Sequence, residues 1–403
     1  MTMFSLQFLF WISLGLLAYA HVAYPVLIWA LSRIRPRPVR KALDAPPLSV
    51  VIVAHNEASR IEGKIRNLLS LDYPRHHLEI LVGDDGSTDD TVDRARAFQG
   101  AGVTLVSYAR RRGKAAVLND LVRMARREIV VLADARQRFE IDTLRALVAP
   151  FGDPRVGAVS GELVLTDADA PGGTQGVGVY WRYEKLIRWS ESQVDSTVGA
   201  TGAIYAIRAD LFEPIPEDTI LDDVVIPLHI VRQGYRVIFE PRARAYDRVA
   251  QSSQVELTRK VRTLAGNFQL FTRERWLLNS FRNRLWFQTL SHKGLRLLAP
   301  LLQGMALATN FFLASNPGYR TLLAAQALFY ATALGGYALR NTNRKHPVLT
   351  LPYTFCLFSW ATVVGFIRFA TGSSASPGRS ASHDASTFRR LANTAATTVC
   401  PRQ

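Results

Sequence analysis

The chain has 403 residues, 48% of them hydrophobic, with a formal net charge of +16. That length leaves room for a large core and allows two or three domains. The basic excess flanks apolar runs, and no zinc-finger spacing or recognition-helix pattern accompanies it, so the charge points to anionic lipid headgroups and away from nucleic acid.

Residues 1–32 contain no Asp, Glu, Lys or Arg. At about 1.5 Å per helical residue the stretch is long enough to cross a bilayer. Its start is uncharged and it runs into Arg33, Arg35, Arg37, Arg40 and Lys41, which reads as a retained anchor rather than a cleaved signal peptide. The positive-inside bias then puts the N-terminus outside and the bulk of the chain in the cytoplasm. A basic, Pro-rich linker occupies 33–47. From residue 48 the pattern alternates. A β-branched run at 48–54 precedes helical spacing of Ile61, Ile65, Leu68 and Leu69 over 57–71. A strand is predicted at 78–83 and a helix at 88–98. A strand at 103–108, a helix at 114–124 and a strand at 128–133 follow. Short continuous apolar strands between amphipathic helices predict a parallel sheet covered on both faces, running to about residue 250 with right-handed crossovers. Amphipathic, interfacial segments fill 251–293. Three apolar stretches near 295–315, 320–339 and 348–370 predict two to three spans within 294–371, and the first of them also suits a helix lying along the membrane surface. The basic cluster at 340–345 fits a cytoplasmic loop. The Ser-, Ala- and Thr-rich tail, 372–403, reads as disordered. The two cysteines, Cys356 and Cys400, exclude a four-cysteine zinc site.

Acidic residues punctuate the middle of the chain: Asp84-Asp85, Asp134 and Asp222-Asp223. The first two sites lie where a Val/Ile/Leu-rich run stops, which in a parallel α/β sheet is the strand end that binds ligands. Ala54-His55-Asn56-Glu57 ends the first strand. Glu57 there can accept hydrogen bonds from a base or ribose, or it simply starts a helix capped by Asn56. Ser87 and Asp90 have the spacing of a capping box. That leaves Asp84 and Asp85, whose charges repel unless they face hydroxyls, a cation or N–H donors. Lys114 opens a predicted helix against its dipole, which suits a bound phosphate, although a solvated surface lysine is the plain alternative. Asp222-Asp223 is either a proton-transfer pair or the cap of the helix over 224–232.

The runs SVVIVAHNEASRIEGKIRNLLSLDYP, EILVGDDGSTDDT, GKAAVLN, VVLADARQRF, GATGAIYAIR and LDDVVIPLHIVRQGYRVIFEP resemble membrane-bound glycosyltransferase family 2, the group that includes hyaluronan, chitin and cellulose synthases. The resemblance covers about residues 48–300. It implies an α/β, GT-A (Rossmann-like), mostly parallel sheet with helices on both faces, plus transmembrane helices at both ends, and a catalytic domain over 48–250. By the same resemblance Ala54, Glu57, Asp84 and Asp85 hold the nucleotide of a UDP-sugar donor, and Lys114 lies near its sugar or diphosphate. Asp134 takes the first position of the Asp-x-Asp element that binds Mg2+ or Mn2+, Gly202 and Ala203 line the acceptor side, and Asp223, beside Asp222, is the general base. An inverting displacement needs one base opposite the leaving diphosphate and positive charge on that diphosphate. Two positions depart from the family. Arg136 replaces the second carboxylate of Asp-x-Asp, where it either contacts phosphate or points away. The Gln-x-x-Arg-Trp element of processive synthases corresponds to residues 259–263, where Arg259 and Arg262 are candidate diphosphate ligands and the Gln and Trp are missing. The expectation is therefore an inner-membrane enzyme with its catalytic domain in the cytoplasm. It would move a hexose or N-acetylhexosamine to a lipid-linked or growing glycan acceptor, with other polysaccharide-assembly proteins as possible partners. A processive synthase and a catalytically silent donor-binding subunit are the rivals.

Overall fold

The computed structural model describes residues 2–166, 175–248, 253–340 and 347–372. The predicted tail and most of the basic cluster at 340–345 lie outside them. Eight strands form one sheet: β1 (Leu48–Ala54), β2 (Leu78–Asp84), β3 (Val103–Ser107), β4 (Ile129–Asp134), β5 (Arg138–Phe139), β6 (Val156–Thr166), β7 (Ile204–Arg208) and β8 (Arg236–Arg248). Their order is β3-β2-β1-β4-β7-β6-β8-β5. The first four are parallel neighbours, β7 runs antiparallel to β4 and β6, and β6 and β8 pair in parallel.

Both faces of the parallel half are covered, and the strand period of two shows why. Val50 and Ile52 of β1, Ile80 and Val82 of β2, and Val131 of β4 point into one core. Their neighbours Val51, Leu81, Val130 and Leu132 point into the other. The helix Ala58–Leu69 seals the first core with Ile61, Ile65 and Leu68, all essentially buried. Each such side chain contributes about 1.5–3 kcal/mol. The helix Lys114–Met124 seals the second with Val117, Leu118 and Leu121. It lies so close to β2 that a Cβ on Gly83 would sit 2.5 Å from Val117 Cγ1 and 2.7 Å from Leu121 Cδ1. Gly83 is thus a packing requirement one residue before the acidic pair.

Two predicted helix starts are corrected. The second helix spans Thr91–Arg96, three residues shorter at its start than the pattern predicts, and Asp90 makes no side-chain cap. No capping box forms because Ser87 Oγ accepts the Asn56 N–H at 2.9 Å instead. Asn56 does not cap the first helix either. It takes a left-handed φ of 54°, held by its Oδ1 accepting the Thr88 N–H at 2.8 Å. The free N–H groups at that helix start go to the neighbouring turn: Glu57 N to Thr91 Oγ1 (2.8 Å) and Ala58 N to Asp89 Oδ2 (3.2 Å). Each turn satisfies the other's backbone.

Among the described residues two helical segments are long and apolar enough to cross a membrane: Met3–Ile34, which passes through a π-helical turn at Tyr19–Ala23, and Pro347–Ala370. Phe4, Phe8, Trp11, Leu14, Val26 and Trp29 on the first leave their side chains exposed, as a lipid-facing surface requires. Ala299–Leu313 packs against the N-terminal segment through Phe10, Ala306 and Leu313 rather than lying apart from it. Trp11 Nε1 donates to Tyr319 OH (3.1 Å) and Gln303 Nε2 to Ser359 Oγ (2.6 Å), polar links between apolar helices. Trp276 packs at the edge of the second core and donates its Nε1 to Glu274 Oε2 at 2.8 Å.

Candidate active site

The site gathers at the carboxyl ends of β1, β2 and β4. Parallel register sets Ala54 beside Asp84 and Val53 beside Asp134. Asp84 is buried at 1% exposure. Its carboxylate accepts the Ser87 N–H at 3.2 Å and the Ser107 hydroxyl at 3.1 Å, so it shapes the turn after β2. Asp85, 3% exposed, accepts the N–H groups of Arg112 (2.6 Å) and Gly113 (3.0 Å), just ahead of the helix that Lys114 opens. N–H donors from two loops thus relieve the repulsion between the adjacent carboxylates. Glu57 is partly exposed at the edge of the crevice, bonded to Arg60 at 2.8 Å.

Lys114 draws the remaining acids together. Its Nζ donates to Asp134 Oδ1 at 3.0 Å and lies 3.2 Å from Asp222 Oδ2 without hydrogen-bond geometry. Burial alone would lower its pKa, but Asp134, Asp222 and Asp223 together hold it well above the usual lysine value. Asp222 and Asp223 open the helix Asp222–Arg232, where its N-terminal dipole favours negative charge. Asp223 is nonetheless pushed up to about 6, first by burial and then by Asp222 beside it, with Lys114, Lys293 and Arg188 pulling the other way. Such a carboxylate is a competent proton acceptor near neutral pH. Gly202 leaves it room: a Cβ there would stand 2.9 Å from Asp223 Oδ2. Ala203 is buried behind the same turn, and the Ala200 N–H holds the Asp223 carbonyl at 2.7 Å.

The outer loop after β4 is arranged differently from the donor-facing alternative raised for Arg136. Arg136 Nε donates to Asp247 Oδ2 at 2.8 Å, and Gln137 Nε2 shares the same oxygen at 3.1 Å. Arg259 feels both charges of this pair, and both Arg259 and Arg262 are exposed on the helix Ser253–Arg273. Sequence reasoning missed Asp247 and Lys64. Asp247 is in phase with the buried Ala243 and Ala245 along β8, a period-two signal that places it inward. Lys64 sits on the buried face of its helix at 3% exposure, donates to the Gln137 carbonyl at 2.9 Å and lies 3.4 Å from the Phe139 ring centre. Burial brings it down to about 7. It pins the loop that carries Asp134 from behind.

Residues 49–210 match the family profile described as Glycosyl transferase family 2. The chain carries a glycosyl transferase family 2 domain. A poly-beta-1,6-N-acetyl-D-glucosamine synthase of Staphylococcus epidermidis is 24% identical over 234 residues, 57% of this chain and 56% of that protein. The synthase of the same description from Staphylococcus aureus strain COL is 23% identical over 271 residues, 62% of this chain and 65% of its own. The chain therefore spans less than two thirds of the length of either relative. Among solved structures, a mannosyltransferase from Pyrobaculum calidifontis in complex with GDP-Man and Mn2+ superposes with a TM-score of 0.69 at 27% identity, covering 90% of this chain and 99% of that one. The family 2 domain thus has the GT-A-like α/β fold expected from its sequence. Its mixed sheet carries Asp84-Asp85, Asp134 and Asp222-Asp223 to one crevice. Among the described residues no three His, Cys, Asp or Glu side chains converge as a ready-made metal site. What the crevice offers chemically is a shared lysine between three carboxylates, one of them with a raised pKa.

Proposed function

We propose that the protein is a membrane-embedded, inverting glycosyltransferase with its catalytic domain in the cytoplasm. It transfers a hexose or N-acetylhexosamine from a UDP-sugar to a lipid-linked or growing glycan acceptor. The observation that carries the reading is Asp223, its carboxyl raised to about 6, packed against the side of Gly202 where a Cβ would stand and within the influence of Lys114, which also binds Asp134. In this reading Asp223 takes the acceptor proton as the acceptor oxygen attacks the anomeric carbon, and the nucleoside diphosphate leaves on the opposite face. Glu57 and the turn around Asp84 and Asp85 receive the nucleoside, and Lys114 steadies the sugar or diphosphate.

A divalent ion fits this site only as one brought in with the diphosphate. Asp134 is 38% exposed and Lys114 engages just one of its oxygens, and phosphate and water supply the other ligands of such ions. Asp134 would hold it, and bound Mg2+ or Mn2+ would neutralise charge developing on the leaving group. Arg136, turned to Asp247, stays out of that role.

The test is a donor screen on the purified full chain in nanodiscs, scoring nucleotide release with and without Mn2+. Release from one UDP-sugar supports the reading. Release from GDP-mannose alone, the donor bound by the Pyrobaculum calidifontis protein, would move the donor assignment. No release from any donor with any acceptor would favour a silent donor-binding subunit. The staphylococcal relatives, described as polymer synthases, favour a second reading, repeated addition. Product length separates the two, and the missing stacking Trp predicts short products.

A further inference from the structure

Where the family 2 domain meets the apolar helices there is a buried charged cluster that the transfer reaction does not use. The helix Gln175–Val194 carries Glu184, Arg188 and Glu191 at four- and three-residue spacing, hence on one face. The π-helical turn Thr289–Gly294 brings His292 against it, Nδ1 at 2.9 Å from Glu191 Oε1 and Nε2 at 3.0 Å from Glu184 Oε2. Arg296 also bonds Glu184, and Tyr24 of the N-terminal apolar segment donates to Glu191 Oε1 at 2.6 Å. Every carboxylate in the cluster therefore has a cationic partner.

Two cations are left over. Among the described residues Arg188 makes one hydrogen bond, from its NH1 to Thr201 Oγ1 at 2.7 Å, and no ion pair. Lys293, next to His292, has no hydrogen bond or ion pair among the described residues. Both side chains are half-buried. They are close enough to act on each other and on the base: after burial, Arg188 is the main influence pressing Lys293 down to about 8, and both cations pull Asp223 downward. Thr201 directly precedes Gly202, whose Cα faces Asp223 Oδ2. Arg188 thus reaches the turn that carries Gly202, the proposed acceptor side of the base. Two half-buried like charges repel each other unless an anion joins them. A neutral glycan brings none. A phosphate supplies charge and several acceptors, and a guanidinium fork matches it.

We infer that Arg188 and Lys293 form an anion site on the acceptor side of Asp223 that holds the phosphate of a lipid-linked sugar phosphate. This rests on the glycosyltransferase reading and names its acceptor class. In the reaction, a hydroxyl of the lipid-linked sugar bonds to the anomeric carbon of the donor as the bond to the diphosphate breaks. The hydroxyl proton goes to Asp223, the nucleoside diphosphate departs, and the acceptor phosphate keeps its charge throughout.

The full chain in nanodiscs tests this with two matched acceptors, a polyprenyl diphosphate N-acetylglucosamine and an alkyl N-acetylglucosaminide without phosphate. Arg188→Gln and Lys293→Gln should each raise the KM for the phosphorylated acceptor tenfold or more and leave UDP affinity unchanged. Arg188→Lys should retain most of the affinity, which separates loss of charge from loss of fold. An equal loss with the phosphate-free acceptor would overturn the site, and so would weakened UDP binding, which would assign the cations to the donor. If no donor turns over at all, the glycosyltransferase reading has failed on its own, and native mass spectrometry of nanodisc-bound lipid still decides. Polyprenyl phosphate retained by the wild type and lost from the double variant supports the site. Equal retention refutes it, as does equal displacement by phosphatidic acid or inorganic phosphate.

Discussion

Asp223→Asn separates the catalytic from the structural consequences of the raised carboxyl. The folded-state value is about 6 against 3.8 for the free side chain. At pH 5 roughly one tenth of the sites would carry the ionised base, by the tenfold-per-unit relation. The rate at saturating donor should therefore climb about tenfold from pH 5 to a plateau above pH 7, and Asn should flatten that rise while lowering turnover by about 10²–10⁴. Stability moves the other way. Because the folded pKa is raised, the folded chain holds this proton more tightly than the unfolded chain between about pH 4 and pH 6. Stability from this group is thus present below that window and lost as pH rises through it. The penalty at neutral pH is on the order of 1–3 kcal/mol, shared with Asp222 as a coupled pair. A neutral amide removes it, so the inactive variant should melt at a higher temperature than the wild type at pH 7.5, with little difference at pH 4. The assays are nucleotide release against pH and thermal unfolding in detergent. A wild-type rate flat from pH 5 to 7.5, or an Asn variant that melts lower at pH 7.5, would refute the reasoning.

Gly202→Ala places a methyl 2.9 Å from Asp223 Oδ2, so acceptor turnover should fall at least tenfold while UDP affinity, measured by calorimetry, stays put. Lys114→Met strips the buried Asp222 of its cation and should destabilise the fold by on the order of 3 kcal/mol, read as a lowered melting temperature, along with loss of donor binding. Lys64→Met keeps the packing but removes the bond to the Gln137 carbonyl. We expect donor KM to rise several-fold without a drop in melting temperature, because burying an ammonium is itself costly. A falling melting temperature would show that Lys64 supports the core rather than the loop.

Much of this protein is legible locally. Runs such as Leu48–Ala54 and Ile129–Asp134 are β-branched and short, and the helices between them repeat every three to four residues. Those periods depend only on backbone geometry, so they mark strand ends, and with them Asp84 and Asp134, without any knowledge of neighbours. The chain also states its apolar ends and its acidic pair at the start of Asp222–Arg232. The tertiary structure alone decided which partner each polar group takes. Ser87 abandons its local capping box for Asn56 of another turn. Arg136 turns to Asp247, which β8 brings in from more than a hundred residues away. Lys114 draws Asp134 and Asp222 to itself because β4 ends where the helix Asp222–Arg232 begins. Hydrogen bonds and charges are satisfied by whatever lies within about 3 Å, and in a mixed eight-stranded sheet that distance is set by strand order, which sequence spacing does not encode.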